Sequence, residues 1–146
     1  MPGQAWEDYR VPAGGVSCYS SKDLINWKNE GVALASLTGD ASNDLDTSKI
    51  IERPKVVYNK QTNKFVMWMH VDANDYSYSQ AGVAVSDQPE GPYKYLGSVK
   101  PNGQMARDMT VYKDEDDKAY LVYASEFNKT MPVSYTHLTL PTNREV

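Results

Sequence analysis

Short apolar runs alternate with polar turns along the chain, and one such pattern occurs twice. Residues 52–69 read ERPKVVYNKQTNKFVMWM and residues 106–123 read ARDMTVYKDEDDKAYLVY, aligned without a gap at an offset of 54. Arg53 matches Arg107, Val57 matches Val111, Tyr58 matches Tyr112 and Lys64 matches Lys118. In each copy an apolar run, a polar turn and a second apolar run predict a β-hairpin. The strands are expected at 54–59 and 64–70 across Lys60-Gln61-Thr62-Asn63, and at 108–113 and 118–124 across Asp114-Glu115-Asp116-Asp117.

The hairpin is half of a larger unit. Gly82-Val83-Ala84-Val85-Ser86 follows the first copy and Gly15-Val16-Ser17-Cys18-Tyr19 precedes it. Each is followed by an aromatic-Lys pair four residues ahead of a glycine, Tyr93-Lys94 before Gly97 and Trp27-Lys28 before Gly31. These segments predict strands at 15–20, from Trp27 onward, at 81–86 and at 93–98, with polar loops at 36–49 and 72–80 and a turn at Pro101-Asn102-Gly103. Four strands repeated along a chain predict an all-β fold of β-propeller blades.

Composition narrows the partners. The formal net charge is −4, with no basic run, which argues against nucleic acid because phosphate neutralisation needs clustered Lys or Arg. No apolar stretch is long enough to span a bilayer as a helix. Cys18 is the sole cysteine, so no intrachain disulfide forms, and its place between Val16 and Tyr19 reads as a small buried hydrophobe. The acidic run 114–117 reads as a solvated hairpin tip: it lacks the ligand spacing of a calcium loop, and the matching turn 60–63 carries no acid. No metal and no cofactor are expected.

Candidate chemistry gathers where the inner strands start. Glu52-Arg53-Pro54 and Arg107-Asp108-Met109 each place a carboxylate beside an arginine at one level of the repeat. Converging carboxylates are what glycoside hydrolysis needs, one to protonate the leaving oxygen and one to activate water. A structural ion pair locking blade to blade satisfies the same spacing, and the residues alone leave the two readings even. Glu7 and Asp8 beside Trp6 form a further acidic site. Trp6, Trp68, Tyr76 and Tyr78 are of the type that stacks on sugar rings, although Trp68 reads better as inter-blade core. His70 closes the same strand as Trp68 and, lacking a second histidine nearby, reads as a hydrogen-bonding residue rather than a zinc ligand.

The segments 15–24, Glu52-Arg53-Pro54-Lys55-Val56, Met67-Trp68-Met69-His70 and Arg107-Asp108-Met109-Thr110 resemble, in the same order, glycoside hydrolase family 43, and most its branch of exo-β-1,3-galactanases. The resemblance covers about residues 6–131. It implies a five-bladed propeller of which this chain holds two to three blades, and hydrolysis with inversion. It implies that Asp108 orients the general acid and tunes its pKa, and that Glu52 and Glu7 contact the sugar. Arg53, Arg107 and His70 become candidates for hydroxyl contacts, with Trp6 and Tyr76 beside them. The family's general acid is a glutamate of the blade after Asp108, so neither acid nor base is expected within this chain, and the chain alone is expected to be inactive.

The expected organisation is therefore a partial propeller over residues 1–132. Residues 133–146 break the repeat and resemble a tail found on unrelated proteins, so they are expected to be foreign to the fold. The expected partner is an oligo- or polysaccharide of plant type, with terminal β-1,3-linked galactose favoured. An arabinofuranosidase or xylosidase specificity and a non-catalytic sugar-binding propeller remain open. By resemblance the whole protein would work outside the cell or in the periplasm.

Overall fold

The computed structural model of the chain describes residues 13–125 and 134–137, the side chains of the last four excepted. Among the described residues nine strands run in chain order: β1 Val16–Ser20, β2 Lys28–Leu34, β3 Ile50–Asn59, β4 Lys64–Asp72, β5 Gln80–Ser86, β6 Lys94–Val99, β7 Met109–Lys113, β8 Ala119–Tyr123 and β9 Ser134–His137. They form three antiparallel meanders, of order β1-β2, β3-β4-β5-β6 and β7-β8-β9. The middle sheet is a full four-stranded propeller blade, and its neighbours are parts of two more.

The repeat is kept down to backbone detail. Asn63 and Asp117, matched at the offset of 54, close their hairpin turns with φ of 53° and 64°. In both aromatic-Lys-Gly segments the strand, β2 or β6, starts at the lysine just after the aromatic residue, and both strands bulge one residue before the glycine. Cys18 pairs with Gly31 and Tyr19 with Asn29; Val83 pairs with Gly97 and Ala84 with Tyr95. Gly31 and Gly97 take φ of 102° and 121°, a region that penalises a Cβ, so the spaced glycine marks the bulge.

The middle blade is clamped on both faces. The unbroken apolar run of β4 alternates its side chains across the sheet, as strand geometry requires. Met67, Met69 and Val71 pack with Ala33, Leu34, Leu45, Ala84 and Tyr93 against the first sheet. Val66 and Trp68 pack with Ala81, Ala106, Met109, Leu121 and Tyr123 against the third. Trp68 is thus inter-blade core, and Cys18 packs at the margin of the first cluster as a free thiol.

The acidic tip 114–117 is tied by lysines: Asp117 binds Lys60 of the neighbouring tip at 2.8 Å and Lys113 at 2.9 Å, and Asp116 binds Lys118. In the segment expected to be foreign, Ser134–His137 pairs with β8 as a third strand. Residues 133 and 138–146 of that segment lie outside the described residues, as do Trp6, Glu7 and Asp8.

Candidate active site

The site grows from an irregularity in β3. Glu52 pairs with His70 but Lys55 pairs with Trp68, so one residue too many is taken up at Arg53-Pro54. Arg53 sits there with φ of 53°, uncommon for a side chain with a Cβ. A bulge re-aims side chains, and such strain persists where the surroundings fix it. The guanidinium reaches across to the next sheet, where Arg53 Nε lies 2.6 Å from Asp108 Oδ1.

Asp108 is held by the ladder of the third sheet. Ala124 N–H donates to its carbonyl at 2.8 Å, and Arg107 N–H donates to Ala124 O at 3.0 Å, extending the β7–β8 pairing by a step. The two carboxylate-arginine pairs read from the sequence are therefore connected crosswise. Arg53 of the first reaches Asp108 of the second, while Arg107 Nη2 donates to Tyr76 O at 2.8 Å and its guanidinium lies 5.3 Å from the Tyr76 ring centre.

Glu52 is the centre of a second group. Its Oε1 accepts from the Tyr76 hydroxyl at 3.0 Å, and its Oε2 faces His70 Nδ1 at 3.3 Å. The His70 ring stacks on Tyr76 at 6.1 Å. Behind it His70 Nε2 lies 2.8 Å from Asp72 Oδ2. Exposure divides the group in two: the Glu52, Arg53 and Asp108 side chains are 41%, 55% and 63% exposed, while His70 and Asp72 are 1% and 0%. At this end of the inner strands Glu52, Arg53 and Asp108 are open to solvent, and His70 is buried behind Glu52 and Tyr76.

Asp72 and Ser79 are the members that sequence reasoning missed. Asp72 Oδ1 accepts from the N–H groups of Ala73, Tyr78 and Ser79, each at 2.9 Å, and Oδ2 accepts from the Ser79 hydroxyl at 2.8 Å. Burial pushes this carboxyl up, but the hydrogen bonds from Ser79, His70 and Tyr78 outweigh it and hold the group below the ordinary aspartate value. These contacts fold residues 73–79 into a tight loop in which Tyr76 and Ser79 take φ of 57° and 46°. The loop is also pinned to the third sheet by Ala106 N–H donating to Ser79 O at 2.9 Å. The available signal was spacing: Asp72 follows His70 at i+2, on the same face of one strand.

The Tyr76–Glu52 and Arg53–Asp108 pairs, drawn from two blades, offer both acceptors and donors to a polyhydroxylated ligand. Comparison with known proteins bears on what that ligand is. The family described as glycosyl hydrolases family 43 matches residues 6–143. An exo-β-1,3-galactanase of Phanerochaete chrysosporium, solved with β-1,3-galactotriose, superposes with a TM-score of 0.79 at 40% identity, covering 86% of this chain and 29% of the other. An exo-β-1,3-galactanase of Clostridium thermocellum gives a TM-score of 0.75 at 38% identity, covering 90% of this chain and 30% of the other. A third, a family 43 β-1,3-galactosidase, gives 0.77 at 41% identity, covering 86% and 28%. Curated proteins give no match. The solved relatives are five-bladed propellers, and this chain spans less than a third of their length.

Proposed function

The chain belongs to glycoside hydrolase family 43, and we propose that it forms part of a glycosidase removing terminal β-1,3-linked galactose from a plant-type polysaccharide with inversion. The observation that carries this reading is that two contacts, Tyr76 with Glu52 and Arg53 with Asp108, form from neighbouring positions at the start of two adjacent inner strands. Relatives whose described substrates and ligands are galactose-based support the sugar. A polymeric substrate of this kind favours work outside the cell or in the periplasm.

In this reading Asp108, oriented by Arg53, stands beside the acid supplied by another blade and favours the protonated form of that acid through like-charge proximity. The acid then protonates the glycosidic oxygen while a water held on the opposite face attacks the anomeric carbon. Glu52 and the Tyr76 oxygen accept from sugar hydroxyls, the single Tyr76 hydrogen being given to Glu52. On its own the chain releases no galactose.

The test is Asp108→Asn in the whole protein, assayed on β-1,3-galactan. The expected loss in kcat is roughly 100-fold or more. Turnover equal to that of the unaltered protein would remove Asp108 from the site and the galactanase reading with it.

A further inference from the structure

Asp72 lies behind the ligand-facing side chains, and the geometry assigns it a specific task. Its two oxygens receive three backbone N–H groups and the Ser79 hydroxyl, with His70 Nε2 at 2.8 Å completing the set. A carboxylate so surrounded accepts and does not donate, so the imidazole hydrogen is held on Nε2. That leaves Nδ1 facing Glu52 Oε2 at 3.3 Å. With Nε2 protonated, a neutral imidazole presents a lone pair at Nδ1, which repels the carboxylate. The contact is attractive only when a second proton lies between Nδ1 and Oε2.

We infer that Asp72 is a positioning residue that makes the Glu52–His70 contact depend on one shared proton, and so couples the placement of Glu52 to pH. This rests on the proposed function only in taking the ligand of Glu52 to be galactose. Among the described residues, the charged and titratable groups around His70 are Asp72 on its own strand, Glu52 on β3, Tyr76 in the loop after β4 and Arg107 at the start of the third sheet. Strand β5 sets Ala81 opposite His70 and carries no ionisable side chain. Tyr76 donates to the other oxygen of Glu52, so the phenol does not supply the missing proton to Nδ1. Arg107 is directed to the Tyr76 carbonyl and ring.

Without the shared proton the Glu52–His70 contact is repulsive, and Glu52 is held by the Tyr76 hydroxyl alone. Asp72→Asn reverses the polarity. The asparagine oxygen keeps the three backbone N–H groups, and its NH₂ group then points at Nε2 and the Ser79 hydroxyl. The imidazole hydrogen moves to Nδ1, where it donates to Glu52 without an added proton.

The experiment compares galactose binding by the whole protein and its Asp72→Asn variant, with nitrogen NMR of labelled histidine read alongside. As the pH is raised in steps, binding by the unaltered protein weakens by about fivefold or more, and binding by the variant stays level. In the unaltered protein the His70 signals show Nε2 protonated, and in the variant they show Nδ1 protonated. A neutral His70 protonated on Nδ1 in the unaltered protein overturns the inference, as does a variant that keeps the parental pH dependence. Should the variant fail to fold, the nitrogen signals of the unaltered protein still decide the matter. Absence of galactose binding at every pH would sink the galactanase reading instead, and leave the role of Asp72 to be decided by those same signals.

Discussion

Arg53 Nε and Asp108 Oδ1 meet at 2.6 Å across the junction of two sheets, joining a bulged inner strand of one blade to the first residues of the next. Both side chains are more than half exposed, so the pair contributes little to stability, on the order of 0–1 kcal/mol. Its effect is orientation: a guanidinium at this distance fixes where the Asp108 carboxylate points. Arg53→Ala in the whole protein should therefore separate two measurements. The midpoint of unfolding stays nearly unchanged, while kcat on β-1,3-galactan falls by about tenfold, ~1.4 kcal/mol of transition-state stabilisation. A shift in stability with kcat intact would assign the pair a purely structural role.

The bulge glycines give a test of the repeat itself. Nothing lies within 4 Å of a Cβ built on Gly31 or Gly97, so a methyl group fits in space at both. What it meets is the backbone, at φ of 102° and 121°. Gly31→Ala and Gly97→Ala should each destabilise the fold by about 1–2 kcal/mol, the scale of a Cβ forced to positive φ. Equal shifts in denaturant midpoint at the two positions are expected because the strain is the same and the packing cost is nil. A neutral substitution at either would show that its bulge is not held.

These features mark how far the sequence could be read. The hairpins, the turn residues Asn63 and Asp117 and the spaced glycines follow from local chemistry, and local chemistry is written in order along the chain. Alignment of the two copies also brought Glu52, Arg53, Arg107 and Asp108 to one level. It did not show which arginine meets which carboxylate, because that depends on the rotation of one sheet against the next. Asp72 was harder still. In sequence it is a polar residue at the end of an apolar run, indistinguishable from the first residue of a solvated loop. Only the folding back of Tyr78 and Ser79 onto it reveals a buried acceptor. Trp6 and Glu7 lie outside the described residues, so their expected sugar contacts remain part of the proposal.

Trp68 separates a packing role from a sugar-stacking one. It is 4% exposed and lies among Val66, Ala81, Met109 and Leu121 between two blades. Removing a buried aromatic side chain leaves a cavity that close-packed neighbours fill only in part, at about 3–5 kcal/mol. Trp68→Ala should lower the stability by that amount in a denaturation experiment. Trp68→Phe, which keeps most of the volume, should leave the KM for galactan unaltered in the whole protein. A KM raised by the phenylalanine variant would place the indole against the sugar after all.

Asp72 also predicts how the fold responds to acid. Its carboxyl is held below the ordinary aspartate value of 3.8, so the native state binds its proton less readily than the unfolded chain does. A depressed value stabilises the fold above the unfolded-state titration, and that stabilisation fades as the pH falls towards the native one. At neutral pH, Asp72→Asn should therefore cost on the order of 2–3 kcal/mol, the scale of hydrogen bonds made to a charged group. Below about pH 4, where the unfolded carboxyl takes its proton, the gap between the two proteins should narrow. Urea denaturation at a series of pH values from neutral downward measures this directly. A gap of constant size across the series would mean that folding leaves the proton affinity of the Asp72 carboxyl unchanged.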